Sequence, residues 1–467
     1  MKKQVSSKHP VIEAKIQKSL NDSVREGGYA SIMSSLGASY FSPFAIALNA
    51  SSSQIGILHA LASLFPGFIK LKSSKLIERY SRKKIVLTGC LIQALSFLPL
   101  ISLALLYYFN VIQNVIWLVI GIIALFYAAG SVTHPAWFSW MGSLVPDKER
   151  GRYFSRRNRI AGFFGVVGMI IGGLILNYSE LFGYVMIGFS LLFFFSFIFR
   201  MFSLRLLNKQ YEPRIKVRKK DYFSFFQFLK QAKESAFGRF VLFTGVFRIV
   251  FGIATPFWAV YLLRELNLSY IWFMAIVVSG VLFQLFWYPV LGKFSDRYGN
   301  VALLRNAVLF LAFVPFLWVF SVFLPLQGVY LNLYLFFIPQ IVSGFGMAGF
   351  LLATNNYIYD SISNEQQTFG SAYFNFVDGI GMFLGAGIGS LLALLNISFM
   401  NPILFIILIS GLGRFLVVAA GTKYLREVRH VKQFSKQFIF KEFDVVGGVR
   451  REVHDFRNFV DKVEHYI

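Results

Sequence analysis

Asp296-Arg297-Tyr298 repeats Glu78-Arg79-Tyr80 at a distance of 218 residues, and this match is one of several. Ser42-Pro43-Phe44 returns as Thr255-Pro256-Phe257 after 213 residues, and Gly168 and Gly172 return as Gly385 and Gly389 after 217. Offsets that drift so little across half a chain describe two copies of one unit with small insertions, and such a repeat bears on architecture before any local pattern does. Each copy carries six apolar stretches of about 20 residues or more, enough to cross roughly 30 Å of hydrocarbon as a helix. They lack the period-two alternation of membrane strands. The expected fold is an all-α integral membrane protein, with twelve transmembrane helices in two pseudo-symmetric six-helix halves. Secondary transporters are built this way, with a substrate site between the repeats.

Composition points the same way. Hydrophobic residues make up 56% of the 467 and charged residues 15%, with a mean hydropathy of +0.60, too apolar for the charged shell of a soluble protein. Nearly all of the 46 Lys and Arg fall before the first span, after the last, and in alternate loops, while the opposite loops contain only Arg264. Basic residues collect on the cytoplasmic side, so both termini are expected there, in a multi-pass protein of the cell (plasma) membrane. The net charge of +24 then reads as retention against the membrane potential and contact with anionic lipid, not as nucleic-acid binding.

No cleavable signal peptide is expected, because the first apolar run follows a polar segment of about 27 residues and is itself long enough to span. The single cysteine, Cys90, excludes an internal disulfide and reads as a buried inert thiol. No metal-ligand cluster, nucleophile elbow or phosphate-binding loop is present, so neither an enzyme nor a cofactor is expected. His134 reads as the one histidine well inside the apolar core, either a hydrogen-bonded helix residue or a substrate or proton group.

The organisation expected is a cytoplasmic lead (1–26), a first six-helix half (27–204), a basic linker with an interfacial helix (205–236), a second half (237–424) and an amphipathic tail (425–467). The tail's apolar stripe, Val449, Val453, Phe456, Phe459, Val460 and Val463, suits the membrane surface, packing on the cytoplasmic loops, or a partner.

The loop after the eighth span, Gly292-Lys293-Phe294-Ser295-Asp296-Arg297-Tyr298-Gly299-Asn300, resembles the signature loop of the major facilitator superfamily. Asn300 stands where that family has a basic residue. The first-copy loop keeps Glu78-Arg79 and the basic run Arg82-Lys83-Lys84 but has Ser74 and Ser81 in place of the glycines. The resemblance covers about residues 27 to 424. It implies that these loops lock one face, with Asp296 approaching Arg152, Arg156 or Arg157 at the start of span five and Glu78 approaching span eleven. The acid would there meet a helix start, where unpaired amides favour negative charge. The run Gly168-Met169-Ile170-Ile171-Gly172-Gly173 resembles the glycine motif of superfamily exporters, with Met169 where they have proline. Gly162, Gly165, Gly168 and Gly172 in span five, and Gly379, Gly381, Gly385, Gly387 and Gly389 in span eleven, are equally expected as helix-packing positions.

Three ionisable residues read as lying inside spans, and each is a functional hypothesis: Arg248, Asp378 and Arg414. Asp378 is expected to pair with Arg414 or Arg248, and to carry a proton if unpaired. The resemblance places spans one, four, seven and ten on a central cavity. It nominates Ser34, Ser35, Ser39, Tyr40, His134, Trp258, Gln340, Asn355 and Asn356, with Gln284 of span eight, Arg248 as the anion-binding group, and Trp137 and Trp140 as cavity lining or interfacial anchors. The expected function is secondary transport of a small organic solute by alternating access, leaning to export of an amphipathic or anionic compound, by a monomer, with or without protons as co-substrate. The alternative is a non-transporting relative acting as a membrane sensor or scaffold.

Overall fold

The computed structural model describes residues 10–146, 150–213, 232, 234–362 and 367–431. The first span joins α1 (Pro10–Leu36), a 3-10 turn (Ala38–Tyr40) and α2 (Phe41–Ala47). α3 (Ser52–Arg79), α4 (Arg82–Tyr108), α5 (Ile116–Leu144), α6 (Arg150–Leu181) and α7 (Val185–Lys209) complete the first six. The seventh joins α8 (Ala236–Ala254), α9 (Phe257–Val260) and a π turn (Tyr261–Glu265). α10 (Tyr270–Tyr298), α11 (Asn300–Phe320), α12 (Val329–Ser361), α13 (Gln367–Leu392) and α14 (Pro402–Gly421) complete the second six. Among the described residues ten helices, from α4 onward, are long and apolar enough to cross a membrane.

The repeated Ser/Thr-Pro-Phe marks a helix break in each copy. Proline has no N–H to give the preceding turn and disfavours a helical residue before it; the seventh span breaks at Thr255-Pro256, and the first breaks at residues 37–40, so that Pro43 falls in the first turn of α2. The following loops repeat too: Asn49 and Asn267 both take positive φ, 58° and 49°, a conformation asparagine tolerates better than most residues.

The chain forms two compact units that do not coincide with the two copies. One comprises residues 1–222, 248–278 and 372–407, and the other residues 223–247, 279–371 and 408–467. In the first unit, Phe41, Phe44, Phe97, Phe126, Phe189 and Phe193 form a buried aromatic core. Edge-to-face pairs run through it, including Phe41 on Phe126 at 5.2 Å and Phe44 on Phe193 at 5.0 Å. The supposed lead is part of this unit: α1 begins at Pro10, and Leu20 packs with Ile85, Cys90, Trp140, Met141 and Leu207. Trp140 is fully buried, its Nε1 donating to the Tyr211 carbonyl at 2.9 Å, so it is neither cavity lining nor an interfacial anchor.

In the second unit, Pro315 inside α11 leaves the Leu311 carbonyl without its helical partner. Arg414 of α14, only 1% exposed, donates Nη1 to that oxygen at 2.8 Å and Nε to Ser410 Oγ at 3.2 Å. A buried carbonyl must be paired, and this arginine meets the need that proline creates. The linker helix and the tail stripe lie outside the described residues.

Candidate functional site

The site begins with glycines. α8 and α13 cross within the first unit, where Gly252, Gly385 and Gly389 meet. A Cβ on Gly385 would lie 2.1 Å from the Ile249 carbonyl oxygen, and one on Gly389 would lie 2.4 Å from that of Ile253. Backbones this close are what small residues permit in lipid. The first copy makes the equivalent crossing of α1 on α6, but side chains fill it. A Cβ on Gly168 would meet Ser35, and one on Gly172 would meet the Tyr40 ring. Tyr40 is wholly buried and donates its hydroxyl to the Met169 carbonyl at 2.7 Å. Ser35 is 3% exposed. Both were expected on a cavity, and both instead belong to helix packing.

Beside the second-copy crossing, Arg248 of α8 donates Nε to Asp378 Oδ1 of α13 at 2.5 Å. The partner of Asp378 is therefore Arg248, and the expected pairing with Arg414 does not form. The guanidinium also lies 5.5 Å from the Phe251 ring centroid. The two side chains keep 14% and 22% of their surface exposed. An isolated charge is costly inside a span, and pairing lowers that cost. In the first copy Ser35 and Ala161 occupy these positions, so the charge belongs to one copy alone.

The other candidates divide between the units. In the first, Ser34 and His134 are exposed, Ser39 and Trp258 are half-buried, and Ser39 Oγ lies 3.4 Å from the Ser34 carbonyl. His134 stacks on Phe138. In the second, Gln340 packs on Gly280, Gln284 donates to the Tyr288 hydroxyl at 2.8 Å, Asn355 is exposed and Asn356 half-buried.

Among the buried ionisable residues that escaped the sequence reading, Glu26 and Arg200 each lie near the polar end of a span. Glu26 of α1, 3% exposed, accepts from Arg157 Nη2 and from Ser203 Oγ, both at 2.9 Å. Arg200 of α7, 7% exposed, donates to Ser203 and to Gln93 Oε1. Arg157 lies 4.1 Å from the Trp137 ring centroid. Arg157, expected to meet Asp296, is thus held within its own copy; Arg152, Arg156, Asp296 and Arg297 are exposed and Gly292 half-buried. The side chains of Glu78 and Arg79 lie outside the described residues. His134 is not the only core histidine either: His59 lies well inside α3, its Nε2 2.9 Å from Ser42 Oγ.

Both signature loops are closed by a glutamate beyond the sixth span of their copy. In the first unit Glu212 accepts from the Lys83 backbone at 3.3 Å and pairs with Arg82 at 3.5 Å. In the second Glu427 accepts from the Val301 backbone at 2.8 Å. Each carboxylate meets the start of a third-span helix, where orphan N–H groups and the dipole favour it. Ser81 adds an ordinary cap in the first copy, accepting from Lys84, whereas Gly299 turns with φ at 89° in the second. Asn300, where the family has a basic residue, bridges Ser295 and Asp360, each at 2.5 Å.

A family model described as the Major Facilitator Superfamily matches residues 28–338 and 248–451. The fold is similar to that of the nucleoside transporter NupG (16% identity, TM-score 0.59, covering 88% of this chain and 99% of that one). It is also similar to a bacterial homologue of the iron transporter ferroportin in its inward-facing state (15% identity, TM-score 0.62, 90% and 100%). An auto-inhibited peptide transporter of the POT family is similar as well (12% identity, TM-score 0.65, 90% and 98%). No curated protein matches the sequence. The chain is a multi-pass membrane protein that belongs to the Major Facilitator Superfamily, a family of transporters.

Proposed function

We propose that this protein is a secondary transporter of the cell membrane, with both termini cytoplasmic, that moves an anionic, amphipathic organic solute by alternating access. The observation that carries the reading is the partly open Arg248–Asp378 pair beside the α8–α13 crossing. Asp378 serves as an internal counter-ion that the solute's own anionic group replaces. Arginine suits this because its planar fork binds carboxylate or phosphate through two parallel hydrogen bonds. Phe251 under the guanidinium and the half-buried Trp258 offer apolar surface to the rest of the molecule. Asp378 is engaged by Arg248, so uniport or exchange follows unless another group couples transport to a proton. The exporter-like glycine run at Gly168–Gly173 supports outward transport.

The test is a thermal-shift screen of the purified protein with organic anions, their neutral esters and cations, followed by counterflow of any hit in proteoliposomes. Anions should stabilise the protein, Arg248→Ala should abolish the effect, and Arg248→Lys should retain part of it. Stabilisation by neutral or cationic compounds alone, or indifference to Arg248→Ala, overturns the reading.

A further inference from the structure

With Asp378 held by Arg248, His59 is a titratable group inside a span that the transport reading leaves unused. It lies two turns into α3, with Nε2 2.9 Å from Ser42 Oγ of α2. Ser42 sits in the first turn of α2, beside Pro43 and just after the break in the first span. A hydroxyl can donate to a neutral imidazole nitrogen or accept from a protonated one. The contact therefore survives proton uptake in either tautomer, so the ring can load and release a proton without losing its place.

The repeat singles out the same pair. Thr255, the second-copy counterpart of Ser42, turns its hydroxyl to its own helix, bonding the Phe251 carbonyl at 3.0 Å. α10, the counterpart of α3, contains no histidine. The break in the helix is common to both copies, whereas the histidine–hydroxyl pair belongs to one.

Its position links it to the seam between α3 and α13. One turn from His59, a Cβ on Gly56 would lie 2.6 Å from the Ser390 side chain. Ser53 and Ser390 share a hydroxyl contact at 2.9 Å, and Ser390 Oγ also bonds the Ser53 carbonyl at 2.8 Å. The same α13 carries Asp378 about three turns before Ser390. Titratable groups on the elements packed against α3 are Tyr127 and His134 on α5 and Tyr373 and Asp378 on α13, with none on α2 or α9. Arg264, at the end of the seventh span, donates to the Ala50 carbonyl in the loop before α3.

We propose that His59 and Ser42 form a proton-binding site whose occupancy shifts the α3–α13 seam, so that solute movement is proton-linked. On binding, the proton from solution adds to the unprotonated imidazole nitrogen, and the positive charge stays on the ring. The inference rests on the transporter reading but not on the identity of the solute.

The test uses the full chain in nanodiscs with Cys90→Ala and spin labels at Ser51 and Leu394, exposed positions flanking the seam within the first unit. The label–label distance distribution should change as the pH is lowered from 8 to 3.5. His59→Gln should abolish the pH response, and Ser42→Ala should keep the response but move its midpoint. A distribution that ignores pH in the His59 protein, or a response that persists in His59→Gln, overturns the proposal. Should the glutamine variant not fold, the His59 protein and Ser42→Ala still decide it: an unmoved midpoint in Ser42→Ala counts against the site. The pH response is read without any solute, so failure of the anion reading and failure of the proton site are separable.

Discussion

Arg248 and Arg414 are both arginines inside apolar spans, and their partners separate them. Arg414 bonds the carbonyl that Pro315 orphans. Arg414→Met should therefore lower stability by about 1–3 kcal/mol, the usual cost of an unpaired buried group. In a Pro315→Ala background the helix supplies its own N–H, and most of that cost should disappear. A double-mutant cycle on thermal stability checks this, and additive losses would refute it. Arg248 faces a carboxylate instead. If Asp378 competes with an anionic solute, Asp378→Asn should tighten binding of the thermal-shift hit about tenfold, or about 1.4 kcal/mol. Lost binding in Asp378→Asn would mean that the carboxylate itself contacts the solute.

Among the helices, α13 allows a sharp comparison because its glycines look alike in sequence and differ in surroundings. A Cβ at Gly385 meets backbone on both Ile249 and Gly252, where no flexible side chain can yield, whereas one at Gly387 meets nothing within 4 Å. Gly385→Ala should cost about 1–3 kcal/mol as an overpacked contact and weaken the Arg248–Asp378 pair by parting α8 from α13. Gly387→Ala should be close to neutral. Equal melting temperatures for the two variants would show that the crossing is not tight. The glycine spacing was legible in the sequence, but which glycines touch was not, because spacing marks a helix face without saying what lies against it. Ser35 and Tyr40 were misread for the same reason. Their polar atoms suggested a cavity, and the facing glycines of α6 account for them.

Across the whole chain the repeat was legible at the level of spans and extends further than the apolar runs that revealed it. The halves were expected to end near Leu204 and Tyr424, yet Glu212 and Glu427, 215 residues apart, make equivalent closures beyond those limits. Neither was visible in advance, since a lone acid among basic residues carries no periodic signal. Glu26 and Arg200 were overlooked because charge near the end of a span reads as solvated until a partner is seen. The second closure also gives the tail a physical boundary. After α14 the chain is held by Arg305 on the Thr422 and Leu425 carbonyls, by Tyr357 on that of Arg426, and by Glu427 on Val301. Truncation after Val431 keeps all of these contacts and should leave thermal stability and counterflow near those of the full chain. Truncation after Tyr424 removes the glutamate cap, typically worth about 0.5–2 kcal/mol, together with the acceptors at Leu425 and Arg426, and should lower the melting temperature measurably. A scaffold would respond differently: removing residues 432–467 would abolish association with its partner while the bundle stayed intact. Flux retained by the longer truncated chain and reduced in the shorter one would place the functional boundary at the Glu427 closure, and flux lost in both would assign the tail a direct part in transport.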